Sequence, residues 1–230
     1  MRRILAHGLL AVVLVLTAYG LTAYLVLPRI WTRYDERSAG LLRPMVTVTL
    51  EGRPGDQINI GIVGDRAILD RAMAAAGWHP ADPVTIVSSL RIAASVLFDR
   101  PYLEAPVSPL LYDGHVETVA FEKPVGRSAD RRQHVRFWAQ PTLGDGASFL
   151  GSVTFDAGIG FSRYTGAVTH DIAPDIDSAR DGLVADLNAT GSVAEVRTVT
   201  GVGPTQDGRN GEGSPYRTDG DARILVIAGP

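Results

Sequence analysis

The sequence predicts an α+β domain with a mixed or largely antiparallel sheet and about three helices, preceded by one N-terminal transmembrane helix. Three observations carry that expectation. Short β-branched-rich runs bounded by Gly, Pro or Asp recur along most of the chain. Segments of helical period are confined to two places and do not alternate with the strands, which segregates helix from sheet. Residues 4–27, ILAHGLLAVVLVLTAYGLTAYLVL, form a 24-residue run with no acid and no permanent base, longer than the roughly 20 residues a helix needs to cross a bilayer.

That first run reads as an uncleaved anchor. A cleaved signal would have an apolar core of about 7 to 15 residues followed by a small-residue site, whereas AYG here sits inside a longer run. Arg2 and Arg3 precede the run and Arg29, Arg33 and Arg37 follow it, so the basic residues do not favour a cytoplasmic N-terminus. The short MRR leader argues the other way, as in a signal-anchor, and the expectation is a single-pass bacterial membrane protein with its large C-terminal part outside the cytoplasm. PRIWTRYDERSAGLLRP follows as a juxtamembrane linker, its Trp31, Tyr34 and interleaved Arg suited to the membrane–water interface. The expected organisation is anchor and linker over 1–43 and a soluble domain over 44–230.

The domain opens with two strands, MVTVTL and INIGIVG, separated by a turn-forming EGRPGDQ. Ala67, Ile68, Ala72, Met73, Ala75 and Ala76 then recur at helical spacing up to Gly77, a C-terminal cap. A second helix, VTIVSSLRIAASVLFD, follows Asp82 as N-cap and Pro83 as first helical residue. Next come the strands LLY, ETVAFE, QHVRFW, FLGSVTFD and YTGAVTHDI. The last helix, DSARDGLVADLNATG, has Asp177 as its cap and ends at Gly191; VAEVRTVTGV and ARILVIAG close the domain around a Gly-rich loop.

A chain that is 45% hydrophobic and 20% charged is globular in composition. The absence of Cys excludes disulfides and thiolate chemistry. Residues 1–43 hold six Arg against Asp35 and Glu36, net +4, so the remainder carries −7 of the overall −3. An acidic domain repels phosphate backbones, so no nucleic-acid partner is expected. Lys123 is the sole lysine beside 21 arginines. That bias weakens any argument that one Arg was chosen for its fork geometry.

RRQHVRFW holds the leading site candidate. As a strand it places Arg132, His134, Arg136 and Trp138 on one face and Gln133, Val135 and Phe137 on the other. Two guanidiniums flanking an imidazole suit an anion, with His134 placed for general acid–base work. The competing reading is a strand face paired with acids, of which the soluble part has 23. Arg209 and Asn210 in GRNGEGSP form a second anion candidate, since glycines let backbone N–H groups approach an anion. The alternative there is a plain surface loop, and the spacing matches neither a P-loop nor a dinucleotide fingerprint.

THDIAPDIDSARD is oxygen-rich, but capping of the following helix accounts for much of it. No metal and no cofactor is expected, with His170 and Asp175 the weak candidates for a ligand. Ser88, Ser89 and Arg91 lack a nucleophile-elbow motif, and His79 beside Trp78 and Pro80 reads as a turn residue.

GDQINIGIVG, AAGWHPADP, SSLRIAASVLFDRPY, APVSPLLYDG, KPVGRSADRRQHVRFW, TGAVTHDIAPDIDSARDGLVADL and GRNGEGSPYRTDG, taken in order, resemble the LssY C-terminal domain family of bacteria over about residues 46–227. The resemblance implies a domain found behind a lone anchor or appended to multi-span proteins of the DedA or phosphatidic-acid phosphatase type, and brings no established activity. The chain departs from the family's pattern at Asp171, where a second His often follows the one at 170, which argues against a His-pair metal site. The expected function is a binding or accessory role at the cell envelope, with lipid head groups or membrane proteins as partners. The alternative is a membrane-anchored hydrolase acting on a phosphorylated or lipid substrate. A pocket uniting His134, His170, Arg136 and Arg209 would favour the hydrolase, and their dispersal the binding role.

Overall fold

The computed structural model describes residues 2–22, 26, 45–50, 52–82, 108–126, 131–140, 149–164, 168–200 and 206–228. The expected juxtamembrane linker and the expected second helix, with Ser88, Ser89 and Arg91, lie outside the described residues. By its internal contacts the chain divides into Met1–Arg43 and Pro44–Pro230.

In the first unit, helix α1 spans Arg2–Leu21. Its consecutive side chains Val12, Val13, Leu14, Val15 and Leu16 are all at least half exposed; five successive residues point around the whole helix, so it presents no single apolar stripe. Among the described residues no helix is long and apolar enough to cross a membrane. The apolar run of residues 4–27 continues past them.

The second unit is α+β. Its large sheet runs, in spatial order, β11 (Val193–Val199), β14 (Ala222–Ile227), β3 (Ile60–Val63), β9 (Phe149–Phe161), β8 (Arg132–Ala139), β7 (Val119–Pro124) and β4 (His79–Pro80), with β10 (Val168–Ile172) added to β9. Within this sheet β14 and β3 pair in parallel and the other described pairs are antiparallel. A smaller antiparallel sheet has the order β2 (Pro54–Gln57), β1 (Val46–Thr49), β5 (Leu110–Tyr112), β6 (His115–Val116), and β12 (Asp207–Arg209) pairs with β13 (Pro215–Arg217).

Two helices cover one face of the large sheet. Helix α2, Arg66–Ala75, is capped by Asp65, which accepts from the Ile68 N–H. It ends in a Schellman motif: Gly77 takes φ +78, its N–H reaches Ala74 O, and the Trp78 N–H reaches Met73 O. A side chain at that φ would be strained, which is why glycine stands there. Helix α3, Ile176–Ala189, begins two residues earlier than the sequence suggests. Asp175 is its N-cap, accepting the Ser178 N–H, and frees Asp177 for tertiary contacts.

Leu69, Met73, Ala179, Leu183 and Leu187 from these helices meet Ile60, Ile62, Val135, Phe137, Phe149 and Val153 from the sheet in the main core. Phe121, Phe137 and Phe149 pack there edge to face, with centroids 6.4 and 6.5 Å apart. A second core lies on the other face of β8, where Trp138 and Leu150 join Ile58, Leu110 and Tyr112. The small sheet supplies the latter two, so β8 is covered on both faces.

Two further differences from the expected elements have simple causes. EGRPGDQ is not all turn: Gly52 N–H bonds Thr49 O, and Pro54 takes the first position of β2, where a strand tolerates its missing N–H. His79 sits in the two-residue β4 opposite Glu122, not in a turn.

Candidate functional site

Every second residue of β8 faces the small sheet, and the neighbouring strands place polar groups opposite. Register sets His134 between Glu122 and Thr154, Arg136 beside Ser152, and Arg132 beside Asp156. The resulting seam is closed to water. Arg132, His134 and Arg136 are 8%, 5% and 5% exposed, and Glu122, Thr154 and Asp156 no more than 2%. The comb of RRQHVRFW therefore lies between layers of the fold and meets the protein's own acids.

Each guanidinium is committed. Arg132 Nε donates to Asp156 Oδ2 at 3.1 Å, and its Nη1 lies 3.0 Å from Glu122 Oε2 across the diagonal of the sheet. Arg136 Nη1 donates to Asp56 Oδ2 at 3.0 Å, while its Nε and Nη2 share the Ser108 carbonyl at 3.1 and 2.9 Å. Two guanidiniums thus face Asp56, Glu122 and Asp156, and among the described residues the acids of the seam outnumber its guanidiniums.

Asp156 is the hub. Its Oδ1 is 3.3 Å from His134 Nδ1, an ion-pair distance outside hydrogen-bond alignment, and its Oδ2 is 3.8 Å from His170 Nδ1. Burial would push its carboxyl up, but His134, His170 and Arg132 together outweigh that and hold it well below the usual carboxylate range. On the other side of the imidazole, His134 Nε2 is 2.6 Å from Thr154 Oγ1. Hydroxyl, imidazole and carboxylate follow the order of a nucleophile, base and orienting acid. Thr154, however, is 1% exposed, so no substrate reaches its oxygen.

His170 therefore joins His134 through Asp156, whereas Arg136 belongs to Asp56 and Arg209 lies elsewhere. Arg209 is exposed and its Nη1 donates to the Gly213 carbonyl at 2.7 Å. Asn210 is buried; its Oδ1 accepts the Glu212 and Ser214 N–H groups, which closes the loop on itself and uses the amides an anion would need. The loop is also built into the fold, since Ser214 Oγ donates to Asp171 Oδ1 at 2.9 Å and Arg163 N–H to Glu212 O at 2.9 Å.

The acidic run caps and braces α3. Asp175 accepts both the N–H and the hydroxyl of Ser178, which lowers its carboxyl from the ordinary value. Asp177, Asp181 and Asp219 surround Arg180, whose side chain is 1% exposed. Among the described residues no group of three or more His, Asp or Glu is placed to hold a metal ion. Two open grooves of 470 and 350 Å³ share Pro174 and Arg217, the first reaching Arg209 and Tyr216 and the second Asp175 and Asp177.

Sequence reasoning passed over Asp56, Glu122, Thr154, Asp156 and Arg180. A signal existed for two of them. SVTFD carries Ser152, Thr154 and Asp156 at period two, a polar face that matches that of RRQHVRFW once the strands are paired. Arg180 lies among acids within one helical turn, a pattern that any solvated helix shares.

Together these features define a layered α+β domain with a charged seam sealed between its sheets. The chain belongs to the LssY C-terminus family, whose model matches residues 41–222. No curated protein and no solved structure matches it.

Proposed function

We propose that this chain is a membrane-anchored domain of the bacterial cell envelope, held by residues 4–27 with its folded part outside the cytoplasm, and that its role is binding or accessory. The observation that carries the reading is the closure of the seam: its guanidiniums are paired internally and Thr154, the hydroxyl beside His134, is 1% exposed. A hydrolase needs that hydroxyl or a water in reach of substrate. Apolar side chains exposed around α1 support the anchor, because such a helix in water would expose unfavourable surface on every side. The hydrolase alternative draws on the Thr154–His134–Asp156 order, and it would require the seam to open.

The reading is tested on membranes from cells producing the full chain. It should stay with the membrane through carbonate extraction, be digested by protease added to intact spheroplasts, and turn over phosphorylated lipid no faster than the His134→Gln variant. Release by carbonate would remove the anchor. Protection from protease would reverse the sidedness, and turnover lost in both His134→Gln and Thr154→Val would establish the hydrolase.

A further inference from the structure

Three chain segments meet at one end of the domain: the β1–β2 turn, the β9–β10 tip and the loop of residues 210–214. Their proximity rests on several contacts. The Arg53 guanidinium carbon stands 5.2 Å from the Tyr164 ring centroid. A side chain at Gly211 would collide with Thr49, and one at Gly213 with Arg163. The Arg163 N–H bonds Glu212 O, and Arg209 reaches the Gly213 carbonyl.

This end is unlike the rest of the domain surface. Phe161 is 70% exposed, Leu50 60% and Tyr164 53%, the largest exposures among the large apolar and aromatic side chains described in the second unit. An exposed Phe at a hairpin tip buries no apolar area in the monomer, so folding alone does not explain it. Arg53, Arg163 and Arg209 stand among these side chains, against Glu51 and Glu212 in the same segments. Arg53 already packs on Tyr164 and Asp171 accepts from Ser214 in the loop, so in a domain carrying −7 overall this end is near neutral, with Arg163 and Arg209 exposed beside its aromatic tips.

We propose that this end, made of Leu50, Phe161, Arg163, Tyr164 and Arg209, seats on a bilayer surface bearing anionic head groups. Phe161 enters the boundary between head groups and acyl chains, Tyr164 lies at head-group depth, and the guanidiniums meet lipid phosphates. The proposal rests on the anchor reading above, since residues 4–27 keep a bilayer beside the domain and the 16 residues 28–43 span at most about 55 Å when extended. Two weak signals, an apolar tip and the exposed guanidiniums beside it, suffice for an already tethered domain because tethering supplies a high effective concentration. The anchor selects a lipid surface over a second copy, because it holds a bilayer within reach of the domain at all times whereas a second copy must be met by diffusion. The exposed side of Arg209 thereby has a role, which its loop amides do not supply.

The absence of Cys allows a single label without background. The full chain carrying Phe161→Cys with an aromatic fluorophore is reconstituted into vesicles of phosphatidylglycerol and phosphatidylcholine that contain a head-group-level lipid quencher. The same label at Asp70→Cys, on the exposed face of α2, serves as reference. Quenching should be strong at 161 and weak at 70, should fall in vesicles of phosphatidylcholine alone, and should fall with salt. Arg163→Glu should shift the balance between seated and lifted domain by about fivefold or more, the effect of about one interfacial charge.

Vesicle flotation after carbonate washing is read on the same samples. A chain that floats while label 161 remains as accessible to water as label 70 overturns the docking surface and leaves the anchor standing. A chain that does not float overturns the anchor. Shielding of label 161 from aqueous quencher without lipid quenching, together with intermolecular crosslinking, overturns the proposal in favour of a second copy.

Discussion

Asp156 holds the seam together, because Arg132, His134 and His170 all converge on its carboxylate. Removing it leaves Arg132 with Glu122 and the buried imidazole of His134 with Thr154 as the sole remaining partner of each among the described residues. Loss of one partner from such a buried ionic network costs roughly 3 to 5 kcal/mol. The sign of the pH dependence follows from the lowered carboxyl. A folded-state value below the unfolded one contributes stability that is fully present above the unfolded value, near 3.8, and is lost as pH falls through the folded value. Asp156→Asn should therefore unfold more readily than the wild type near neutrality, and the gap should narrow as denaturant melts are repeated below about pH 4. A gap independent of pH would mean that packing, and not the charge, is what Asp156 contributes. The face of β8 was readable as alternating Arg, His and Arg, but its orientation was not: period two gives two faces without saying that both are covered. Trp138 at the end of the same face was the hint, since a Trp in line with charged residues requires that the face be roofed where it stands.

Helix α3 shows how a short acidic segment can be mistaken for a ligand set. Asp177 Oδ1 accepts from Arg180 at 3.1 Å and from the Thr218 hydroxyl at 2.8 Å, and its Oδ2 takes the Asp219 N–H at 2.6 Å. Arg180 in turn bridges to Asp219 at 2.8 Å and to the Asp221 carbonyl at 2.9 Å. One buried guanidinium thus ties the first turn of α3 to the turn that delivers β14 into the sheet. Arg180→Ala should cost roughly 2 to 4 kcal/mol, less than a fully buried pair because Asp181 and Asp219 keep partial solvation. Chemical denaturation gives the total. Hydrogen exchange at the Asp219 and Gly220 amides should rise first, and a uniform rise across the domain would contradict a local tie. The end of α2 is marked in the sequence because caps are local chemistry, as Gly77 illustrates. At α3 Asp175 and Asp177 both precede the apolar run, so the local pattern points to Asp177 whereas the cap is Asp175. Only the tertiary partners, Arg180 and Thr218, distinguish them.

The strand order could not be read in this way. β3 pairs in parallel with β14 from the far end of the chain and antiparallel with β9, a pairing fixed by long-range packing that no local period encodes. The same closure makes the second unit self-sufficient. Among the described residues its three apolar clusters draw on residues from Met45 to Ile227. The two guanidiniums of the buried seam are likewise paired within the second unit, by Asp56, Ser108, Glu122 and Asp156. A domain with its own core should therefore fold after deletion of residues 1–43, and the net −7 of what remains favours solubility. The truncated chain should be monodisperse without detergent and unfold in one cooperative step. Its melting temperature should lie within a few degrees of that of the full chain in detergent, since a shift of about 1 kcal/mol moves a domain of this size by roughly 2 to 4 °C. A truncated chain that binds hydrophobic dye and lacks near-ultraviolet dichroism would be a collapsed state without fixed packing. That outcome would mean that the first unit contributes to the fold as well as to its place in the cell.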